Sequence, residues 1–212
     1  MHKFTKSDAD MWFQRNQGAL NNLEQNNDTT SVIIGSLLPK YFHKGIQLLE
    51  IGCGNGARLN DLYLKNGGTF YGVDISQKAI DNGSKRFQGL NLSVQNASSL
   101  DFLDNQFDFV FLGFFLYLVD RKDYEQVISE ADRVLKPGGF VAILDFDVPV
   151  PYENVYSHNI ELRSYKCDNS ILFLTNGNYS LIEKKMFSHD SLKFPRNVDE
   201  RVSLQVLYKE TT

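Results

Sequence analysis

A cluster of three glycines constrains what this chain can fold into. The segment LLEIGCGNGARL, residues 48–59, ends an apolar run with Gly52, Gly54 and Gly56 and then resumes apolar spacing. Glycine loses more conformational entropy on folding than any other residue, so three together indicate a backbone that must bend or be approached closely. A glycine turn between a strand and a helix lets backbone N–H groups face a ligand at the helix N-terminus. The segment therefore predicts a strand–turn–helix unit with a ligand at the turn.

Strand and helix patterns alternate five times along the chain. The predicted strands are IQLLEI, TFYGVDI, LNLSVQNA, FDFVFLGFFLYL and FVAILDFD. The predicted helices between them are ARLNDLYLKNGG, SQKAIDNGSKRFQG and RKDYEQVISEADRVL, the last closed by KPGG. Ser76 is a candidate cap for the second of these helices. The alternation predicts a parallel α/β sheet with right-handed crossovers.

The two ends of the chain have a different character. An earlier helix is predicted over SVIIGSLLPKYF, with Asp28 or Thr29 as its cap. After Asp147 the segment VPVPYENVYSHNIELRSYKCD is rich in Pro and Tyr and shows no clear period, so we expect a long loop. NYSLIEKKMFS and ERVSLQVLYKE then predict two closing strands, forming an antiparallel hairpin.

Composition excludes several classes of function. At 212 residues and 42% hydrophobic, the chain can bury one substantial core. A net charge of -4 without a Lys/Arg cluster indicates no nucleic-acid partner. No apolar run is long enough to span a bilayer, and the start lacks the apolar segment of a signal peptide. Cys53 and Cys167 are too few for disulfides or a zinc cluster, so we expect a reduced cytoplasmic protein without a metal.

An acidic residue follows the second predicted strand. Dinucleotide-binding folds carry G-x-G-x-x-G at the first turn and an acidic residue about 20 positions on for the ribose hydroxyls. Asp74 stands where a ribose would need it, but Gly52, Gly54 and Gly56 form G-x-G-x-G. The spacing favours a nucleoside ligand other than NAD.

Four blocks in this order resemble class I S-adenosylmethionine-dependent methyltransferases: LLEIGCGNGARL, FYGVDIS, DFLDNQFDFVFLGFFLYLVD and EADRVLKPGGFVAILDF. The resemblance implies a Rossmann-like three-layer α/β sandwich whose seven-stranded, mostly parallel sheet has an antiparallel last strand. It also implies one methyltransferase domain over residues 1–212. Within it, residues 1–40 would form a helical cap or lid, 46–147 the cofactor-binding core, and 148–212 the acceptor loop and closing strands.

The resemblance implies S-adenosylmethionine as cofactor and S-adenosylhomocysteine as product. Glu50 would place negative charge near the methionine amino group, and Asp74 would accept hydrogen bonds from both ribose hydroxyls, since a carboxylate has two oxygens. Ile75 would pack on the adenine, and Asn96 stands where many relatives carry Asp. All expected cofactor-binding residues lie at predicted strand ends: Glu50, Gly52, Cys53, Gly54, Asp74, Ile75, Asn96, Ala97, Ser98, Leu112 and Gly113.

Residues outside these blocks are expected to bind the acceptor. An acceptor hydroxyl must lose a proton, and His158 is the best general-base candidate because imidazole titrates near neutrality. Tyr117 follows the fourth strand, where acceptor contacts are common, and is the second catalytic candidate. Segment MWFQRN is either a surface helix anchoring one aromatic or a lid in which Trp12 closes the pocket and Arg15 grips an anionic group. The expected acceptor-binding residues are Trp12, Arg15, Phe115, Tyr117, Tyr152, Tyr156 and His158.

A looser resemblance concerns WFQRN, GFFLYLVDR, DFDVPVPYENVYSH and SYK, which look like a bacterial subgroup linked to surface-polysaccharide and sugar-nucleotide pathways. It implies O-methylation of a sugar or a phosphoryl-linked hydroxyl. We therefore expect a small-molecule methyltransferase, monomeric or homodimeric, without a membrane span. An NAD-dependent oxidoreductase is disfavoured by the glycine spacing. A non-catalytic methyltransferase-like binding subunit is disfavoured by the intact Glu50, Asp74 and glycines.

Overall fold

Nine β-strands form a seven-stranded sheet and a separate two-stranded hairpin in the computed structural model, which describes residues 3–23, 29–175, 178–188, 191 and 193–211. The strands are β1 (Gln47–Ile51), β2 (Thr69–Asp74), β3 (Asn91–Val94), β4 (Phe107–Gly113), β5 (Leu135–Phe146), β6 (Tyr152–Tyr156), β7 (Asn159–Lys166), β8 (Tyr179–Phe187) and β9 (Val202–Lys209). The α-helices are α1 (Lys6–Leu23), α2 (Thr29–Leu37), α3 (Ala57–Asn66), α4 (Gln77–Arg86), α5 (Arg121–Val134) and α6 (Ile171–Thr175). Short 3-10 helices cover Leu38–Tyr41, Leu116–Leu118 and Val198–Glu200.

The strand order of the large sheet is β3-β2-β1-β4-β5-β9-β8. Pairs among β1 to β5 are parallel, while β9 is antiparallel to both β5 and β8. This confirms the expected seven-stranded, mostly parallel sheet with an antiparallel last strand. The carboxyl ends of β1, β2 and β4 consequently meet at one edge, on either side of the point where strand order reverses, which is where such sheets bind ligands.

Each face of the sheet buries its own apolar core. Leu49 and Ile51 of β1 pack with α5 residues on one face, whereas Leu48 packs with Leu59 and Leu62 of α3 on the other. Successive side chains of a strand point to opposite faces. Glu50 therefore shares the face of Leu48 and is directed toward α3.

Local signals place the helix ends as expected. Ser76 caps α4 by accepting a hydrogen bond from the Ala79 N–H (3.1 Å), which confirms that prediction. α3 ends at Asn66 and is followed by Gly67, whose φ is 67°. α2 begins at Thr29, and Asp28 lies outside the described residues.

The expected long loop after β5 is wrong, because most of it forms the antiparallel hairpin of β6 and β7. Leu162, Ser164 and Lys166 of β7 are buried, so the strand does have a period of two. Two of these three residues are polar, which hides the alternation from an analysis of apolar residues. The K-P-G-G segment also differs from expectation, since β5 already begins at Leu135 and pairs there with Phe107.

Helix α1 lies against the start of α4. The Asp10 carboxylate accepts hydrogen bonds from the Ser76 hydroxyl (2.6 Å) and the Lys78 N–H (3.1 Å). On its other side, α1 meets the hairpin, where the Asn159 amide donates to Asp8 Oδ1 (3.2 Å). α1 and the hairpin thus form a cover above the carboxyl edge of the sheet. Across the described ranges, no helix is both long and apolar enough to cross a membrane.

Candidate active site

The glycine turn joins β1 to α3 with a backbone that favours glycine. Gly52, Gly54 and Gly56 have φ values of 74°, 56° and 77°, in the left-handed region that other residues rarely adopt. A Cβ at Gly52 would lie 2.6 Å from the ring of Phe115, whereas one at Gly54 would meet nothing within 4 Å. The turn therefore presents bare backbone to open space beside Gly54 and to an aromatic ring at Gly52.

Asp74 ends β2 directly beside this turn. Its Oδ2 accepts from the Gly54 N–H (2.9 Å) and its Oδ1 from the Ser76 N–H (2.8 Å). Burial raises the pKa of this carboxyl, and the two N–H groups oppose the rise. Each carboxylate oxygen has a second lone pair, so the group can still accept from a vicinal diol.

Glu50 is fully buried and is paired with a residue that the sequence analysis missed. Its Oε1 accepts from Arg58 Nε (2.9 Å) and lies 2.8 Å from Arg58 Nη2. The same Nη2 donates to the carbonyl of Gly113 (3.2 Å), at the end of β4. Glu50 Oε2 is buried without a hydrogen-bond partner. An unsatisfied acceptor here fits a ligand that carries N–H donors, as the amino group of S-adenosylmethionine does.

The expected adenine-side residues follow the ends of β2 and β3. Asn96 Oδ1 accepts from both the N–H and the hydroxyl of Ser98 (3.0 Å each), so this side chain stabilises its own turn. Ala97 is partly buried against the core, and Ile75 is partly buried just after Asp74. An adenine contact by these residues remains a prediction.

Two expected cofactor residues have side chains that face away from the cleft. The Cys53 thiol is buried, and a Cβ on Gly72 would lie 2.9 Å from its sulfur. Burial raises the pKa of this thiol well above its ordinary value, which keeps it neutral. Leu112 is completely buried in the core beside α5. Only the backbone of these two residues can reach a ligand.

The chain after β4 is strained. Phe114 has a φ of 65°, which is unusual for a bulky side chain and occurs mostly where surrounding structure enforces it. Its N–H donates to the carbonyl of Leu144 (2.9 Å). This conformation places Phe115 over Gly52 and leads directly into the 3-10 turn that carries Tyr117.

Four of the expected acceptor residues lie together. Trp12 packs against the cluster that contains Tyr117 and Tyr156, whose ring centroids are 6.4 Å apart. Arg15 Nη2 donates to the Tyr156 hydroxyl (3.4 Å). The structure thus brings together α1, the turn after β4 and the hairpin, as the lid hypothesis for Trp12 and Arg15 requires. Burial raises the pKa of Tyr117, so its hydroxyl stays protonated.

Three of these residues, Trp12, Tyr117 and Tyr156, belong to an aromatic cluster above the ends of β4 and β5. Ring centroids are 5.3 Å apart for Phe114–Tyr117, Phe114–Phe146 and Tyr117–Phe146. Tyr156 lies 6.4 Å from Tyr117, and Trp12 packs against the same group. We call these five residues the aromatic wall.

His158 and Tyr152 occupy the edge of this region. His158 is exposed at the turn of the hairpin, with its ring 5.3 Å from that of Tyr156. Tyr152 points elsewhere, because its hydroxyl donates to Asp199 Oδ1 (2.6 Å). The structure therefore places His158 beside the aromatic wall and directs the Tyr152 hydroxyl away from it.

Asp145 binds the backbone of two residues of the aromatic wall, Phe146 and Tyr117. It is buried at the end of β5, where Oδ1 accepts from the Phe146 N–H (2.7 Å) and Oδ2 from the Tyr117 N–H (3.3 Å). Burial raises the pKa of its carboxyl to about 7. Asp145 thereby holds the backbone turn that presents Tyr117.

Sequence comparison agrees with this geometry. Residues 49–143 match the family model described as a methyltransferase domain. The matched segment is less than half of the chain, and it includes the glycine turn, Asp74 and the whole of β4. These residues are thus similar to a methyltransferase domain.

Two curated relatives each match about half of this chain. A demethylmenaquinone methyltransferase of Anoxybacillus flavithermus is 38% identical over 113 residues, which is 50% of this chain and 47% of the relative. One from Staphylococcus aureus is 35% identical over 111 residues, covering 50% and 45%. The chain thus spans about half the length of the curated relatives it matches.

Solved structures share the fold over most of the chain. A methyltransferase from Methanosarcina mazei is 22% identical, with a TM-score of 0.67 over 84% of this chain and 98% of its own. A putative methyltransferase from Haloferax volcanii, solved with the activator Trm112, is 19% identical with a TM-score of 0.73 over 97% of both chains. The 1,6-didemethyltoxoflavin-N1-methyltransferase of Burkholderia thailandensis, solved with S-adenosylhomocysteine, is 14% identical with a TM-score of 0.69 over 94% and 87%.

Proposed function

We propose that this protein transfers a methyl group from S-adenosylmethionine to a small-molecule acceptor that presents a flat aromatic face. The observation that carries the proposal is the half-buried Asp74 carboxylate beside the open glycine turn. Bound S-adenosylmethionine supplies an activated methyl group. The cofactor residues expected from the sequence are proposed on the same ground, with Cys53 and Leu112 acting through their backbone only.

The acceptor is proposed to bind at the aromatic wall. The protein's task is to hold the acceptor in line with the methyl carbon, and this requires packing more than strong polar groups. Aromatic side chains bind flat rings by offset or edge-to-face stacking. The curated relatives are named for a quinone acceptor, which is consistent with such a surface. The carbohydrate acceptor expected from the looser resemblance has no support among these relatives.

A hydroxyl acceptor also needs a base. As the oxygen–carbon bond forms and the sulfur–carbon bond breaks, the hydroxyl proton must leave, and we propose that the neutral imidazole of His158 takes it. His158→Ala should then lower turnover about tenfold or more with unchanged cofactor affinity. His43→Ala is the matched control, because His43 is also exposed but lies before β1, near Asp108. Full turnover of His158→Ala would make this residue a surface histidine.

Calorimetric titration tests the cofactor first. The purified protein is titrated with S-adenosylmethionine, S-adenosylhomocysteine and NAD in parallel. Micromolar binding of the two sulfur nucleosides, without NAD, supports the proposal. A folded sample that binds none of them contradicts it and favours the non-catalytic subunit.

A methylation screen then tests the acceptor. Simple phenols and quinols are compared with nucleotide-linked sugars, and methyl transfer is followed by mass spectrometry. Turnover of the ring compounds supports the aromatic acceptor. Turnover restricted to the sugars would overturn that part of the proposal and restore the carbohydrate hypothesis.

A further inference from the structure

Ser76 joins helix α1 to the carboxylate of Asp74. Its hydroxyl donates to Asp10 Oδ1 of α1 (2.6 Å) and accepts from the Ala79 N–H (3.1 Å). Its backbone N–H donates to Asp74 Oδ1 (2.8 Å). A hydroxyl has one proton to donate and an ionised carboxylate only accepts, so the direction of each of these bonds is fixed. Ser76, which is 2% exposed, is therefore held by α1 on one side and by α4 on the other.

Asp10 is the residue of α1 that makes this contact. The same Oδ1 accepts from the Lys78 N–H (3.1 Å), so a single oxygen binds two donors at the start of α4. A carboxylate at a helix N-terminus is favourable, because the first N–H groups of a helix have no partner within it. One turn further along α1, Phe13 belongs to the same buried apolar cluster as Ala79. α1 thus docks on α4 next to the residue that binds Asp74.

One of the two carboxylate oxygens of Asp74 depends on this arrangement. Gly54 donates to Oδ2 and Ser76 donates to Oδ1. The Gly54 N–H belongs to the glycine turn, whereas the Ser76 N–H belongs to the residue that α1 holds. Hydrogen bonds weaken steeply as their angles depart from linear, so a carboxylate that accepts from two vicinal hydroxyls needs both oxygens in fixed positions. A displacement of Ser76 would therefore reach Asp74 directly.

We propose that Asp10 is a positioning residue: docking of α1 fixes Asp74 through Ser76 and so completes the cofactor site. This inference rests on the proposed function, in which Asp74 accepts from the ribose hydroxyls. Coupling between two equilibria is reciprocal, so bound cofactor stabilises the docked position of α1 by the same factor. α1 also carries Trp12, which belongs to the aromatic wall. Cofactor binding thereby stabilises part of the surface proposed for the acceptor.

Calorimetric titration with S-adenosylhomocysteine tests the positioning role. Asp10→Ala removes the acceptor of both hydrogen bonds and should weaken binding about 3- to 10-fold, since the loss of one hydrogen bond has an effect of that size. Asp10→Asn keeps a carbonyl oxygen in the same place, so its Kd should stay within about twofold of the wild type. Lys6→Met is the matched control, because Lys6 also joins α1 to α4 but does so through Gln77 Oε1 (3.2 Å) rather than Ser76. Its Kd should be unchanged.

A second background separates positioning from docking alone. In Asp74→Ala the carboxylate that Asp10 positions is absent, so adding Asp10→Ala should change the Kd by less than about twofold. If α1 only covered the cofactor, the loss would be the same in both backgrounds. Circular dichroism verifies that each variant is folded.

Hydrogen exchange tests the reciprocal effect. S-adenosylhomocysteine should slow the exchange of the backbone amides of α1 by about 3- to 10-fold in the wild type and in Asp10→Asn. In Asp10→Ala the same ligand should slow this exchange by less than about twofold, because the link to Asp74 is broken.

The proposal is supported by a loss of affinity in Asp10→Ala that Asp10→Asn restores and that disappears in the Asp74→Ala background. Unchanged affinity in Asp10→Ala would overturn it, and so would an equal loss in both backgrounds. Exchange in α1 that does not respond to S-adenosylhomocysteine would overturn the reciprocal effect and the proposal with it. Failure of the wild type to bind S-adenosylhomocysteine would instead contradict the proposed function.

Discussion

The proposed cofactor side of the site, at the ends of β1 and β2, and the proposed acceptor side, under α1 and the hairpin, form the two sides of a cleft. They are stabilised by different kinds of contact. At the ends of β1 and β2, most of the contacts that shape the site come from backbone groups. Asp74 accepts hydrogen bonds from two N–H groups, and the glycines set the path of the turn. Under α1 and the hairpin, side chains pack against one another, as Trp12, Tyr117 and Tyr156 do. The first side depends on a few neighbouring residues, whereas the second depends on segments far apart in the chain.

This difference indicates that one side binds the cofactor and the other binds the acceptor. A backbone-built surface suits a ligand that never changes, such as a cofactor, because its donors are fixed by the fold. A wall of aromatic side chains can be altered residue by residue without disturbing that turn. We therefore expect substitutions on the first side to change cofactor affinity, and those on the second to change acceptor binding or stability.

The largest expected effect lies on the cofactor side. Asp74→Ala removes the proposed partner of both ribose hydroxyls and should weaken S-adenosylhomocysteine about 100-fold or more, since each hydrogen bond to a charged group contributes about 1.5–3 kcal/mol. Calorimetry measures the affinity, and circular dichroism verifies the fold. Asp81→Ala, an exposed position on α4, is the control. Unchanged affinity in a folded Asp74→Ala protein would refute the ribose assignment.

The next effect concerns pH and the support of the aromatic wall. The pKa of Asp145 is about 7 in the folded protein against an ordinary value of 3.8, so between these pH values the folded state binds the proton more tightly. The contribution of Asp145 to the free energy of unfolding is therefore fully present at low pH. It is lost as pH rises through 7, and the loss is about 4 kcal/mol at most. Of the charged groups around it, Arg121 opposes the rise in pKa.

Asp145→Asn should remove this dependence. Chemical denaturation of both proteins between about pH 5 and 8 measures it: the wild type should lose stability relative to the variant as pH rises. The variant has its own cost, because Asn cannot accept from both the Phe146 and Tyr117 N–H groups, but that cost does not vary with pH. A constant difference between the two proteins across this range would contradict the expectation.

Alanine substitutions at two glycines, one on each side of the cleft, measure how closely each side is packed. A Cβ on Gly83 of α4 would overlap the carbonyl oxygen of Asn55 in the glycine turn, whereas one on Gly18 of α1 would meet nothing within 4 Å. Gly83→Ala should therefore destabilise the protein by about 1–3 kcal/mol. Gly18→Ala should stabilise it by about 0.5–1 kcal/mol, because alanine is the better helix former. Denaturant titration measures both, and equal effects would show that α4 can move away from the turn.

The backbone-built side is also the side that the sequence predicts well. Apolar runs, the Ser76 cap and the glycine positions are local signals, and each gave a correct element. Arg58 was missed because its contact with Glu50 crosses from a helix to a strand. A signal was present, since a lone carboxylate in an apolar strand needs a cation, and Arg58 is the first cation after Glu50 in the chain.

The side-chain-built half was harder to predict for a physical reason. β7 buries Ser164 and Lys166, and the Lys166 ammonium is satisfied by the carbonyl and the carboxylate of Asp199, far along the chain. A sequence pattern predicts that a polar residue is exposed, because the distant partner that allows its burial cannot be recognised from the sequence. Trp12 and Arg15 were recognised as lid candidates, but the packing of Trp12 against Tyr117 and the hydrogen bond from Arg15 to Tyr156 could be identified only from the fold.

The smallest expected effect concerns Tyr117, which lies where the cofactor side of the cleft meets the acceptor side. Tyr117→Phe deletes the hydroxyl of a buried side chain that packs with Tyr156 and Trp12, so it should cost about 1 kcal/mol of stability. Because Tyr117 belongs to the aromatic wall, its loss should leave the Kd for S-adenosylhomocysteine unchanged and raise the KM for the acceptor. Tyr63→Phe, on α3 and with its ring 5.8 Å from that of Phe70, is the matched control. A weakened cofactor affinity in Tyr117→Phe would show that the wall also contacts the cofactor, and the two sides of the cleft would then act as one surface.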